Sequence, residues 1–245
     1  MRYFCYFVIL LTISLSCKKE KVEPDNENND PIIINPIDVL PSIGVYDQPS
    51  TGDSICPINY YVSQDFDSNA LAVGSQVPDF TLYTIHNKAV TLSEVLKDKK
   101  PVFLMTGSYT CPTFRDNISN LNNLVYDFGN DINFFLAYTV EAHPTVNPSP
   151  YSGSLWTTNA NSNEGILYQQ PKIYAHRLSI INDMLLTYTI HCDILVDGPC
   201  NEFWYGYGEA PNRAYLIDTT GQVIASHGWF DYETMVTSIE YHLSN

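Results

Sequence analysis

"PVFLMTGSYTCPTF", Pro101 to Phe114, is the stretch on which the reading of this chain turns. Its first half is a short continuous apolar run, the pattern of a strand buried on both faces. After it, Phe114, Ile118, Leu121, Leu124, Val125 and Phe128 recur at helical spacing and form one face of an amphipathic helix. Between the two lies "GSYTC". Cys111 therefore stands where a central strand hands over to a helix. Thr110 is a candidate N-cap, and Pro112 is tolerated in the first turn, where its missing N–H costs nothing. In open α/β sheets ligands bind at strand C-termini. A helix N-terminus favours thiolate over thiol, which would lower the Cys111 pKa below about 8.5. A buried, inert cysteine would explain burial at this point but not the flanking Gly107, Ser108 and Pro112.

On either side of this stretch the same alternation of patterns continues. "PDFTLYTI" alternates as a strand, "HNK" is a turn, "AVTL" is a second short strand, and Ser93 is placed to cap a short helix over "SEVLKDKK". Gly129 closes the helix after the cysteine. "INFFLAYTV" (Ile132–Val140) is the next buried strand, which gives β-α-β and a parallel pair. Positions 141–170 are long, aperiodic and rich in Pro, Asn, Ser and Gly, and an insertion of that length in a compact domain is usually functional or mobile. A helix over Ile173–Tyr188, a strand at "CDILV", a hairpin "RAYLID-TTGQ-VIAS" turning at Gly221, and a closing helix Tyr232–Leu243 complete the chain. The order β-α-β-α-β-β-α behind a two-strand lead-in is the thioredoxin-fold arrangement: an α/β fold with a central mixed sheet flanked by helices.

The chain has 245 residues, 44% of them hydrophobic and 13% aromatic, which can supply a real core. A formal net charge of −15, with thinly spread Lys and Arg, argues against a nucleic-acid partner. The N-terminus reads as a targeting segment. Arg2 is a minimal positive region, Phe4–Leu15 is apolar but too short to span a bilayer comfortably, and "SLSC" follows. This resembles the lipobox of bacterial lipoproteins, with Cys17 as the lipidated residue and Ser14 where leucine is usual. An ordinary cleaved signal with an accidental cysteine is the other reading. The expected organisation is a signal at 1–16, an acidic tether at 17–36, an irregular extension at 37–73 and the main domain at 74–245. The protein would then be held to a membrane by lipid at the cell envelope, outside the cytoplasm.

Cys56, Cys111, Cys192 and Cys200 remain in the mature body, where disulfides can persist. Their pairing is open. There is no second cysteine at Cys-x-x-Cys spacing, since Phe114 occupies it. The peroxiredoxin pattern is half met: Ser108 fits its hydroxyl, but Leu104 stands in place of its proline. No metal-ligand spacing stands out among the histidines. Phe203, Trp204, Tyr205 and Tyr207 are read as core packing rather than a ring-binding pocket.

"GSYTCPTF…LVYDF" followed by "FFLAYTVEAHP" resembles the iodothyronine deiodinase family, with its Gly-Ser-x-Thr-(selenocysteine or Cys)-Pro-x-Phe and a strand ending Tyr-x-x-Glu-Ala-His. "VDGPCN" and "YGYGEAPNRAYLID" agree in order. The resemblance runs from Val77 to about Leu243 and implies a thioredoxin-like fold with a deiodinase insertion over 141–170. By position, Cys111 replaces the selenocysteine, Ser108 and Thr110 are the hydroxyls beside it, and Tyr138, Glu141 and His143 are the proton-delivery and substrate-contact group. Two positions depart. Pro171 stands where the family usually has a histidine, and Trp229 in "HGW" where it has an arginine; the family's histidine and arginine help hold the iodothyronine molecule, and this chain lacks both.

The implied chemistry is reductive dehalogenation. A soft nucleophile takes iodine as I⁺ from an aromatic carbon, and that carbon gains a proton. Glu141 next to His143 would keep the imidazole charged as an acid relay. No bound cofactor is expected, only an external thiol reductant. Cys200, or less favourably Cys192, is a candidate resolving thiol; a structural Cys192–Cys200 disulfide is the competing reading. The alternatives to a dehalogenase are a thiol peroxidase or disulfide reductase on the same fold, acting on peroxide or disulfide, and a non-enzymatic surface binding module.

Overall fold

The structure, a computed structural model, describes residues 42–245 apart from positions 46 and 63. The signal segment, Cys17 and the tether at 17–36 lie outside the described residues.

The expected strand at 101–105 is β4 (Val102–Gly107), with every residue buried. Burial on both faces is what a continuous apolar run requires. It pairs parallel with β5 (Asn133–Tyr138) and antiparallel with β7 (Ala214–Ile217). β6 (Asp193–Val196) extends the parallel set beside β5, and β8 (Val223–His227) closes the far edge against β7. At the other edge β2 (Asp79–Thr84) lies antiparallel to β6 and carries β3 (Ala89–Thr91). With β1 (Ser42–Gly44) at the outer edge, the sheet order is β1-β2-β6-β5-β4-β7-β8. This mixed sheet, with helices on both faces, is the thioredoxin-like fold.

β1 (Ser42–Gly44) falls in the stretch read as irregular. It adds a parallel edge strand to β2. Three residues with one glycine are too short for a period-2 signal, which is why it is invisible in the sequence.

Alternate residues of β4 serve different cores. Phe103 and Met105 join the cluster formed with α3 (Ile118–Phe128), α5 (Tyr174–Leu185) and α7 (Tyr232–Ser244). Val102 and Leu104 join the cluster containing Leu92 of α1 (Leu92–Val95) and Phe203 of α6 (Glu202–Gly206). Phe203, Trp204 and Tyr207 are fully buried, in agreement with the core reading, whereas Tyr205 is exposed on the outer side of α6 and is not core.

Several local expectations are corrected. Ser93 does not cap α1; Thr91 holds that position and the Ser93 hydroxyl donates to Asp79 at 2.7 Å. The helix after Cys111 breaks at Asn117 into α2 (Pro112–Asp116) and α3. The insertion at 141–170 is not wholly irregular. It contains α4 (Asn159–Glu164), capped by Thr158, whose Oγ1 accepts from the Asn161 N–H at 3.1 Å.

Candidate active site

At the C-terminal ends of the parallel strands, three loops stand side by side. The register Gly107–Tyr138–Val196 brings up 108–111 after β4, 139–143 after β5 and 197–201 after β6. Two bonds continue the ladder past the strands, from Thr139 N–H to Gly107 O at 3.0 Å and from Asp197 N–H to Tyr138 O at 3.0 Å. The parallel sheet thus places Cys111 beside Glu141 and His143.

The N-cap of α2 is Cys111 itself, not Thr110. Its Sγ accepts the Phe114 N–H at 3.4 Å, and Pro112 takes the first helical position. Gly107 makes this possible. A Cβ there would run into the Phe114 ring, so only glycine lets the first turn sit this close to the strand end.

Thr110 is instead an adaptor. Its N–H and its Oγ1–H both donate to Glu141 Oε2, at 3.0 and 2.7 Å, while Oγ1 accepts the His143 backbone N–H at 3.1 Å. Tyr138 donates to Glu141 Oε1 at 2.5 Å and accepts the Tyr109 N–H at 2.9 Å. Ser108 accepts the Ala142 N–H through Oγ at 3.2 Å. Ser108, Thr110, Tyr138 and Glu141 therefore tie the loop of Cys111 to the loop after β5, all within the protein interior.

The expected Glu141–His143 contact is not made. The two side chains diverge where the chain bends after β5. The Glu141 carboxyl turns inward to Thr110 and Tyr138. The His143 ring donates from Nδ1 to Trp156 O at 3.1 Å and packs edge-on against the Trp156 indole. Burial, with a smaller contribution from the Arg115 charge and against the pull of the Trp156 carbonyl, holds the His143 pKa below its usual value, which favours the neutral imidazole. Burial raises the Glu141 pKa, against the pull of its three donors.

The expected depression of the Cys111 pKa is also corrected. The thiol is 1% exposed, and burial pushes its pKa up to about 12. The Phe114 and Thr113 N–H groups and the Arg115 charge pull the other way, as anticipated for a helix start, but desolvation is larger. In this closed arrangement Cys111 is a thiol.

The remaining cysteines resolve plainly. Cys56 and Cys200 form a disulfide, which excludes both the Cys192–Cys200 pairing and a free Cys200 as resolving thiol in this state. Cys192 is free, but it precedes β6 and lies at the opposite end of the parallel strands from Cys111. Its burial also pushes its thiol up to about 12. The loop carrying Cys200 is fixed by Arg177, which donates to Asp197 O at 2.8 Å and Gly198 O at 2.7 Å.

Three contributors to the site carry no motif. Tyr151, from the insertion, is buried close enough to feel the Cys111 charge, and its hydroxyl accepts the Trp204 Nε1–H at 3.0 Å. Arg115 donates to Tyr109 O at 2.8 Å. Gln170 makes a two-way pair with the Glu141 backbone, at 2.6 and 3.1 Å. Gln170 and Pro171 also line a cavity of about 490 Å³ between the insertion and residues 55–61, together with Tyr60, Tyr61 and Pro150. Trp229 is half exposed and packs on Phe66. No group of three metal-ligating side chains occurs among the described residues.

Residues 58–237 match the model of the iodothyronine deiodinase family. The chain belongs to the iodothyronine deiodinase family. With its thioredoxin-like fold, this makes it a thiol-dependent oxidoreductase. Among solved structures, it is similar to a candidate thiol:disulfide interchange protein DsbE from Chlorobium tepidum (16% identity, 70% of this chain and 98% of that one, TM-score 0.47). It is also similar to the exposed lipoprotein thioredoxin Etrx1 from Streptococcus pneumoniae (15%, 66% and 98%, TM-score 0.44), and to a thioredoxin-like protein from Aeropyrum pernix (12%, 66% and 89%, TM-score 0.46).

Proposed function

We propose that this deiodinase-family protein reductively dehalogenates an iodinated aromatic substrate through Cys111. The observation that carries the reading is the bonded network of Thr110, Glu141 and Tyr138 around the start of α2, where Cys111 is the N-cap.

The reacting form is the thiolate, so access of substrate must accompany loss of the thiol proton. The neutral His143, one loop away, is the base suited to take it. The sulfur then attacks iodine: an S–I bond forms, the C–I bond breaks, and its electron pair stays on the ring carbon. Glu141, whose pKa burial raises, is the acid that returns a proton to that carbon, and the Thr110 and Tyr138 hydroxyls bonded to it hold the carboxyl in place. An external thiolate attacks the sulfenyl iodide, iodide leaves, and a mixed disulfide forms. A second thiol releases Cys111. Because Cys200 is bonded to Cys56 and Cys192 is distant, the resolving thiol comes from the reductant.

The cavity beside Gln170 has the size of a site for one or two aromatic rings, with tyrosine and proline walls. Pro171 and Trp229 stand in place of the family's histidine and arginine, so the substrate we propose is an iodothyronine-like aromatic rather than the hormone in particular. A Cys56–Cys200 disulfide suits an oxidising compartment, in line with export and a lipid anchor at Cys17.

The test is a paired assay of the full chain with a dithiol reductant: iodide release from an iodophenol against peroxide consumption. Release that is lost in Cys111→Ser supports the reading. Peroxide consumption far faster than iodide release assigns the protein to the thiol peroxidases instead.

A further inference from the structure

Arg115 belongs to no motif, yet it is one of the few charges enclosed by the fold, 5% exposed and one helical turn beyond Cys111. A helix residue four positions on lies over the turn it follows, and the Arg115 N–H closes that turn on Cys111 O at 3.2 Å. Its guanidinium reaches back toward the loop that carries the sulfur. Nη1 donates to Tyr109 O at 2.8 Å and to Asn161 Oδ1 at 2.9 Å. Nη2 donates to Glu164 Oε2 at 3.1 Å. Asn161 completes the ring by donating from Nδ2 to Thr110 O at 2.8 Å. The loop 108–111 and helix α4 of the insertion are thus tied together through one cation.

Two of the three acceptors are neutral, and the third, Glu164, is about half exposed, so solvent screens its charge. A buried cation that is only partly balanced favours a new anion within its reach. The groups that act on the sulfur are the Phe114 and Thr113 N–H groups and Arg115 from α2, Glu141 from the loop after β5 and Tyr151 from the insertion. Arg115 is the cation among them, and Glu141 works against it. The same charge acts on His143 in the opposite sense, favouring its neutral form.

We propose that Arg115 is a positioning residue for the dehalogenation: clamped by Asn161 and Glu164 of the insertion, its guanidinium is held against the loop that carries Cys111, so that a fixed positive charge stands beside the sulfur as the thiolate forms. This role rests on Cys111 being the nucleophile. It also makes the insertion part of the catalytic apparatus rather than a cover, because α4 fixes the cation. Arginine suits this role, since its planar fork serves three acceptors at once and cannot lose its charge.

The test is the rate of Cys111 alkylation by iodoacetamide in the full chain, followed by peptide mapping between about pH 7 and pH 10. Arg115→Gln keeps much of the shape and removes the charge. It is expected to alkylate at least about threefold more slowly at equal pH, the change in thiolate fraction for a half-unit rise in pKa. Arg115→Lys should recover part of the rate. A purely structural clasp predicts the reverse sign, since loosening the loop exposes the sulfur and speeds alkylation. An unchanged or faster rate in Arg115→Gln overturns the proposal. If that variant does not fold, Arg115→Lys decides, because it keeps the charge and loses the fork: alkylation no faster than wild type supports the proposal, and faster alkylation, the mark of a loosened loop, overturns it. If wild-type Cys111 fails to alkylate anywhere in the range, the nucleophile assignment falls first and the Arg115 role with it.

Discussion

Thr110 and Glu141 are bonded twice: the backbone N–H and the hydroxyl of Thr110 converge on a single oxygen, Oε2, of Glu141. Glu141 is thereby held against the loop that carries Cys111, 30 residues earlier in sequence, and its other oxygen is taken by Tyr138. Glu141→Gln replaces an acid by an amide that cannot release a proton. It should lower turnover by about 10²-fold, the usual loss of a general acid. The pH dependence of stability gives an independent check. Burial raises the folded-state pKa of Glu141 above its unfolded value, so the stability linked to this group is fully present below the ordinary carboxylate pKa and is lost as pH rises through the folded value. Denaturant titrations should show wild type losing stability relative to Glu141→Gln over that rise. A constant difference across the range would show that Glu141 titrates normally.

Gly107→Ala should be costly although the substitution is small. The added methyl group collides with the Phe114 ring, which is itself fully buried. Overpacking of this kind costs about 1–3 kcal/mol. Because the Phe114 N–H caps the Cys111 sulfur, activity should fall further than stability alone explains. Urea unfolding together with turnover well below the melting transition separates the two effects.

The Cys56–Cys200 bond closes a loop of 144 residues and joins the segment before β2 to the loop after β6. Its removal in Cys56→Ser/Cys200→Ser should cost about 2–5 kcal/mol. Turnover with an external dithiol should be retained below the lowered melting point, and Cys192→Ser should leave turnover unchanged. Loss of turnover in the folded double variant would mean that the pair exchanges with Cys111.

Tyr151→Phe removes one oxygen and leaves the buried Trp204 Nε1–H without its acceptor. The expected cost is about 1–3 kcal/mol by urea unfolding. Cys111 should also alkylate faster if Tyr151 helps to seal it; an unchanged rate would place the seal elsewhere in the insertion.

The strand–Cys111–helix unit was legible because two different periodicities meet at one residue, and those periods survive any tertiary context. The parallel neighbour β5 followed from its apolar run, and so did the adjacency of Cys111 and Glu141. The ionisation of Cys111 was not legible. Helix position lowers a thiol pKa and burial raises it, and the insertion that buries the thiol has no period from which its path can be read. Glu141 and His143 are two apart, which in an extended strand would put them on one face; the chain leaves β-geometry after Tyr138, so they part. Arg115 did leave a trace, a charge four residues after Cys111 on a helix. Its partners Asn161 and Glu164 lie 46 and 49 positions away and had none. The Cys56–Cys200 pairing was one of several that counting allowed.

Whether the Cys111 sulfur itself takes the halogen decides everything else proposed for this site. It can be read from a single turnover of the full chain with an iodoaromatic substrate and one small thiol, quenched and mapped by peptide mass. One iodide should be released per chain and the small thiol should be found disulfide-bonded to Cys111, with neither product in Cys111→Ser. Iodide released while Cys111 stays unmodified, or released equally by Cys111→Ser, would refute the assignment.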